Sequence, residues 1–329
     1  MQLPTYKKMM IFSGTANRPL AEEIAAHLGM KLGQVEIATF SNSESYARFS
    51  DSVRGRDAFV IQSICEPVDH HVMQQLIMID ALKRASAKRI TAVCPLYPYS
   101  RQDRKARGRE PITGKLMADM FEVAGANRML SVDLHSGQIQ GFFNAPFDHL
   151  TALPLIGDHF AEILEDDFVI VSPDAGGVRL ADKFVQHLDQ YNNLRGQVAF
   201  LHKRRRKDLR NVSETRTVVG DVEGKVCVVV DDMIDTAGTL TQGVEVLLAA
   251  GASEVYAAAT HAVLSDPAVD RIKNSPLRQL VVTNTLPIPS EKAMDKLTVL
   301  SIAPTIAQTM KAVFEEESVS ELFHGENQP

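Results

Sequence analysis

The run KVCVVVDDMIDTAGTL, residues 225–240, concentrates the residue types that bind phosphorylated sugars. An apolar strand ends in two acids, a short turn follows, and small residues lead into a helix. The backbone N–H groups of Asp235, Thr236, Ala237, Gly238 and Thr239 are spaced to wrap a phosphate at that helix N-terminus. Gly238 permits close approach, and Thr236 and Thr239 add hydroxyl donors. Asp231 and Asp232 stand just before the loop, where carboxylates accept hydrogen bonds from sugar hydroxyls. The plainer alternative is a strand-to-helix turn with capping acids, Thr239 being the N-cap.

Two basic segments offer charge for a polyphosphate. LHKRRRKDLR, residues 201–210, has six Lys and Arg in ten residues between two strand-like runs, GQVAFLH and TVVGDV. A basic loop hinged there could close over phosphates, although most charge runs are only solvated surface. YPYSRQDRKARGRE, residues 97–110, also follows a strand, and Arg101 or Arg104 could pair with phosphate oxygens or stack on a purine. In SVDLHSGQIQGFFN, Asp133 and His135 point to one side of a strand by its period of two. In IVSPDAGGVR, Asp174 ends a strand just before Gly176 and Gly177. One imidazole and one or two carboxylates suit magnesium, whose octahedron phosphates and water complete, and are too few for closed structural zinc. There is no GxxxxGK[ST] loop and no GxGxxG opening a helix, so ATP must be held in another way. No serine elbow or Cys–His pair stands out as a nucleophile.

The rest of the composition narrows the class. Lys plus Arg is 35 and Asp plus Glu is 41, a net charge of −6 that argues against a nucleic-acid binder and for a small anionic ligand. Cys65, Cys94 and Cys227 have no CxxC spacing and suit a reducing cytoplasm. The apolar stretch MMIF after Lys7 and Lys8 is too short for a signal peptide or a membrane span.

Positioning these groups requires strands and helices in alternation. DAFVIQS, RITAVCPLY, RMLSVDL, FVIVSPD, KVCVVVDD, EVYAAATHAV and QLVVTNT read as strands, and MQQLIMIDALKRAS and LTQGVEVLLAAGA as helices. Strands apolar throughout, alternating with helices, give an α/β fold with parallel sheets covered on both faces. Its 329 residues favour two domains. Residues 113–135 align with 239–261, Thr with Thr, AGA with AGA and His with His, which suggests duplication of one domain with the halves meeting near 150–155. On that alignment KARGREPIT, residues 105–113, is the counterpart of the 231–239 loop without its acids and Gly-Thr turn. TIAQTMKAVFEEESVSELF reads as a last helical segment before the polar tail HGENQP.

FSNSES (40–45), SVRGRD (52–57), PYSRQDRK (98–105), DLHSGQIQGFF (133–143), SPDAGG (172–177), HKRR (202–205), VDDMIDTAGT (230–239) and ESVSELF (317–323) together resemble the class I ribose-phosphate pyrophosphokinases, over roughly residues 9–323. The resemblance implies two duplicated type I phosphoribosyltransferase-like domains, 1–154 and 155–304, with 305–323 returning to the first and 324–329 a flexible tail. It implies transfer of a pyrophosphoryl group from ATP to ribose 5-phosphate, a Mg2+ requirement and a cytoplasmic homo-oligomer, a hexamer. Lys203 and Arg205 match the catalytic pair on the loop. Asn42, Ser43 and Glu44, donated across a subunit interface, match the ATP site with Arg101 and Gln102. His135 and Asp174 match the magnesium ligands. Arg205, Asp231 and Asp235 through Thr239 match the ribose 5-phosphate site, and Ser318, Ser320 and Phe323 the regulatory site for phosphate and ADP.

The sequence departs from the family pattern at Asn144, where many members carry Asp, at Asn42-Ser43 in place of Asp-Gly, and at Gly114 in place of Ala. A phosphoribosyltransferase would use the same sugar loop without the Arg101–Gln102 and Asn42–Glu44 elements. A non-catalytic homologue would be disrupted around Lys203 and Arg205, which are intact.

Overall fold

The computed structural model describes residues 8–204, 215–323 and 325–327. In chain order the elements are β1 (Met9–Ser13), α1 (Arg18–His27), β2 (Val35–Thr39), β3 (Ser45–Phe49), β4 (Asp57–Ile61), α2 (Val68–Arg84), β5 (Arg89–Val93), α3 (Thr113–Ala124), β6 (Arg128–Val132), β7 (Phe147–Leu150) and α4 (Leu153–Ala161). There follow β8 (Phe168–Ser172), α5 (Val178–Asn192), β9 (Gly196–Arg204), β10 (Thr215–Val219), β11 (Val226–Ile234), α6 (Gly238–Ala249), β12 (Glu254–Ala262), α7 (Ala268–Asn274), β13 (Leu280–Thr283), β14 (Leu297–Leu300) and α8 (Ala303–Glu315). Every residue of β4, β8 and β13 is buried, as parallel strands covered on both faces require.

The chain divides into two compact units. One comprises 1–151, 285–287 and 301–329; the other comprises 152–284 and 288–300. The first holds a five-stranded parallel sheet in the order β1-β4-β5-β6-β7, with β2 and β3 forming a separate antiparallel pair. Its core gathers Phe12, Val60, Ile79, Leu82, Ala92, Phe121 and Met129. Helix α8 packs against α1, and Phe323 is buried in the same unit. The second unit holds the seven-stranded sheet β10-β9-β8-β11-β12-β13-β14, parallel except where β10 runs against β9. Val171, Leu201, Val229, Val244, Leu247, Ala257 and Ile272 form its core.

Counting strands within each unit exposes the duplication. Both sheets carry their strands in the order 1-4-5-6-7, and strands 2 and 3 join the sheet in the second unit but stand apart in the first. This register differs from the one read in the sequence. Strand order pairs β4 with β11 and β5 with β12, so α6 corresponds to α2, whereas the 126-residue offset matched it to α3. The AGA-strand pattern misled because any βαβ unit ends its helix on small residues before a buried strand. The last helical segment is also shorter than read: α8 stops at Glu315, and Glu316 adopts φ 66, a left-handed end that breaks the helix.

Candidate phosphoribosyl and nucleotide sites

The second unit has its topological switch point between β8 and β11, because the chain leaves β8 for β9 on one side and continues into β11 on the other. Ligands in open α/β sheets bind outside the carboxyl ends of such strands. The loops there are Pro173–Gly177 after β8 and Asp235–Ala237 after β11. Asp174 is exposed, and its Oδ1 accepts the N–H groups of Gly176 (2.7 Å) and Gly177 (3.2 Å), which fixes the carboxylate at the loop tip. Its other oxygen takes no part in that turn. A Cβ on Gly177 would lie 2.7 Å from the Ser172 hydroxyl, so the close turn demands glycine.

Asp231 and Asp232 belong to the last residues of β11, and the Asp232 N–H donates to Asp231 Oδ1 at 2.9 Å. Burial, then the neighbouring Asp232 and Asp174 charges, push the Asp231 carboxyl up to about 8. This is a corner that favours incoming hydroxyl donors or positive charge. Ala237, not Thr239, is the N-cap of α6; its φ is 57 and no side chain caps the helix. The first turn therefore opens with backbone N–H groups, as an anion site does. Thr236 and Thr239 are exposed on its rim.

Lys203 lies on β9 in register with Arg216 of β10. Its side chain, and all of Arg205, fall outside the described residues.

In the first unit, Asn42, Ser43 and Glu44 form the exposed tip of the β2–β3 hairpin. Ser43 has φ 71, and its N–H donates to the Phe40 carbonyl at 2.8 Å, a tight turn that glycine would make with less strain. Phe40, 55% exposed, packs beside Tyr46 at 5.9 Å between ring centroids. Arg101 and Gln102 lie in the exposed loop after β5; the Gln102 carbonyl accepts the Gly114 N–H (3.1 Å) and its side chain accepts the Thr113 hydroxyl (2.5 Å). The loop is thereby tied to the start of α3. A Cβ on Gly114 would make ordinary contact at 3.4 Å with the Gln102 and Tyr99 carbonyls, so the missing alanine is a mild change.

Asp133 and His135 do not share a strand face. Strand β6 ends at Val132, Asp133 takes φ 36, and His135 is exposed in the turn beyond. Asn144 donates its side-chain N–H to Glu122 at 2.9 Å, so an aspartate there would face a like charge. Among the described residues, no group of three or more His, Cys, Asp or Glu stands together to hold a metal ion. Ser318 and Ser320 are exposed, whereas Phe323 is 4% exposed and serves as an anchor for the segment. The Asn327 side chain donates to the His149 carbonyl at 2.9 Å.

The first unit has its own switch point, between β1 and β4, and side chains fill it. Gln62 Oε1 accepts the Ala16 N–H at 3.1 Å. Gln74 Oε1 accepts the Thr15 N–H and hydroxyl, both at 2.9 Å, and the Gln62 amide at 2.7 Å. Gly14 leaves room for this, since a Cβ there would lie 2.3 Å from Gln62 Oε1. Two glutamine oxygens thus take the loop N–H groups that an anion would otherwise engage.

The described family of N-terminal domains of ribose phosphate pyrophosphokinase matches residues 9–125, and the phosphoribosyl synthetase-associated domain matches residues 201–324. A ribose-phosphate pyrophosphokinase of Streptomyces avermitilis is 52% identical over 318 residues, 96% of each chain. One of Caldanaerobacter subterraneus subsp. tengcongensis is 51% identical over 316 residues, 96% of this chain and 98% of its own. The chain belongs to the ribose-phosphate pyrophosphokinase family. The crystal structure of phosphoribosylpyrophosphate synthetase from Mycobacterium smegmatis is similar at TM-score 0.86 and 50% identity, covering 94% of this chain and all of that one.

Pyrophosphokinase motifs lead to the loops after β8 and β11 and to the hairpin tip, but they do not mention the glutamines or Arg271. Arg271, on α7, donates to the Thr236 carbonyl at 2.9 Å. The glutamines did leave a signal: Gln74 and Gln75 interrupt the apolar run VMQQLIMI on a buried helix face. Arg271 left none, because its partner is a backbone atom 35 residues away.

Proposed function

We infer that this chain transfers the β,γ-pyrophosphoryl group of ATP to the anomeric hydroxyl of ribose 5-phosphate, giving phosphoribosyl pyrophosphate and AMP. The observation that carries the reading is the acid-strand, αL turn and uncapped helix start at the β8/β11 switch point, in a chain half identical to pyrophosphokinases over 96% of its length. The N–H groups of Asp235 to Thr239 hold the sugar 5-phosphate, and Asp231 accepts hydrogen bonds from the sugar hydroxyls. Arg101, Gln102 and the hairpin residues Asn42, Ser43 and Glu44 hold ATP. The exposed Phe40–Tyr46 pair beside that tip supports its reaching a neighbouring copy, in a homo-oligomer that we take to be a hexamer.

The anomeric hydroxyl oxygen attacks the β-phosphorus and gives its proton up to solvent; that O–P bond forms as the bond from the β-phosphorus to the oxygen it shares with the α-phosphate breaks, and AMP leaves. The protein's contribution is positioning and charge, since phosphoryl transfer asks for little covalent help. Lys203 and Arg205 neutralise charge growing on the transferred group. His135 and Asp174 would hold magnesium, and two such side chains would leave most of its octahedron to phosphate oxygens and water, as suits a cation that arrives with the phosphates. Magnesium when bound supplies Lewis-acid neutralisation of the phosphate oxygens. Ser318 and Ser320 remain the accessible members of the regulatory segment, with Phe323 as their anchor. We take the chain to be cytoplasmic, as its family resemblance implies; no helix among the described residues is long and apolar enough to cross a membrane.

Phosphorus NMR of the purified chain with ATP, magnesium and ribose 5-phosphate tests the reaction. AMP and a sugar-linked diphosphate rise in step if the reading holds. Release of ADP or inorganic phosphate, or no change across several phosphate concentrations, would overturn it.

A further inference from the structure

We propose that Arg271 is a positioning residue for ribose 5-phosphate: it fixes the Thr236–Ala237 peptide so that the Ala237 N–H points into the phosphate loop. This rests on the assignment of that loop to the sugar phosphate.

Helix α7 is pinned to the core of the second unit by Ala268 and Ile272, both fully buried. Arg271, between them on the helix, stays exposed and reaches across to donate from Nη1 to the Thr236 carbonyl at 2.9 Å. The guanidinium lies against the helix start as well, for a Cβ on Gly238 would come within 3.2 Å of Nη1. In a trans peptide the C=O of one residue and the N–H of the next point in opposite directions. Anchoring the Thr236 carbonyl on Arg271 therefore turns the Ala237 N–H away from α7. Ala237 is held in a left-handed conformation, φ 57 and ψ 6, that a residue with a Cβ seldom adopts unaided. The Thr241 hydroxyl and N–H donate to the Ala237 carbonyl at 3.1 and 3.0 Å, which holds the helix side of the turn. Arg271 restrains the preceding peptide, Thr236–Ala237, from another element, and its positive charge at the rim favours the same anion.

The prediction separates the two substrates. In the full chain, Arg271→Ala should weaken ribose 5-phosphate about tenfold, in both titration calorimetry without ATP and in KM, the scale of one well-placed hydrogen bond. KM for ATP and kcat should stay within about twofold of the original chain. Arg271→Lys keeps a charged donor and should recover most of the affinity. Should the alanine variant fail to fold by circular dichroism, Arg271→Met, which keeps the packing stem, takes its place. Ribose 5-phosphate binding unchanged in the alanine or methionine variant would overturn the inference. So would equal losses for both substrates, which signal general damage. The unaltered chain distinguishes the underlying reading: if it makes no phosphoribosyl pyrophosphate, the proposed function fails. If it turns over normally while the variants bind the sugar as well as it does, only the role of Arg271 fails.

Discussion

Replacing Gln74 with leucine should cost the first unit about 1–2 kcal/mol. Gln74 is 2% exposed, and its Oε1 is the acceptor for Thr15 N–H, the Thr15 hydroxyl and the Gln62 amide. Leucine nearly conserves volume but removes all three acceptances. Thr15 is exposed, so its N–H loses only the net worth of one hydrogen bond, about 0.5–1.5 kcal/mol, whereas the buried Gln62 amide is stranded at about 1–3 kcal/mol. Leucine returns roughly 1–2 kcal/mol of apolar burial. The remainder is a large share of the 5–15 kcal/mol, approximately, that holds an average domain. Urea unfolding followed by circular dichroism, at fixed protein concentration, reads the loss as a shift in midpoint at constant slope. The double change Gln62→Leu with Gln74→Leu should cost less than the two single losses added together, because the stranded Gln62 donor is gone. A shift below about 0.5 kcal/mol for Gln74→Leu would refute the reasoning, since the buried Gln62 amide could then not depend on it.

Other outcomes follow from the same structure. Lys203→Ala and Arg205→Ala should each cut turnover about 10²–10³-fold with the melting temperature preserved, the scale of a lost oxyanion-type donor; near-normal rates in both would end their catalytic assignment. Because the Asp231 carboxyl is pushed up to about 8 when folded, against roughly 4 when unfolded, ionising it weakens the metal-free fold progressively as pH rises between those values. Asp231→Asn should accordingly raise the melting temperature at pH 8 and not at pH 4, in chelator, while losing ribose 5-phosphate affinity; equal shifts at both pH values would contradict this. Burial pushes the Cys94 and Cys227 thiols up to about 12, so a thiol reagent at neutral pH should label the native chain at Cys65 alone, and mass spectrometry showing two or three labels would contradict that burial.

The strand end, turn and helix start over residues 226–240, where we place the sugar phosphate, were legible because their signal is local. Apolar residues 226–230, two acids and a small-residue turn are contiguous, and they fold into a strand end and a helix start as written. The cap was misread because a threonine two residues into α6 looks like a capping residue, whereas Ala237 is the cap in an αL conformation, and the carbonyl before it is held by an arginine from α7. Asp133 and His135 were placed on a strand by alternation, yet β6 is only five residues long and turns sharply at Asp133. The repeat was found through its duplicated helices but set one βα unit out, since strand order, not local motif, carries the correspondence. The hairpin β2–β3 was not read as strands, because alternating residues with a half-buried face give a weak signal beside continuous apolar runs.

The return of residues 301–329 to the first unit has a consequence for how the chain is made. Translation delivers 1–151 first, but the helix that covers α1 emerges only with residues 303–315, about 150 residues later. At some 5–20 residues per second, α1 waits roughly 8–30 s on the ribosome with that face uncovered. The second unit, complete by residue 300, finishes before the first does. A product ending between residues 300 and 303 would thus carry a finished second unit attached to a first unit without its covering helix, a form marked for chaperones and proteases by the bare α1. Helix α8 acts as the seal on the first unit.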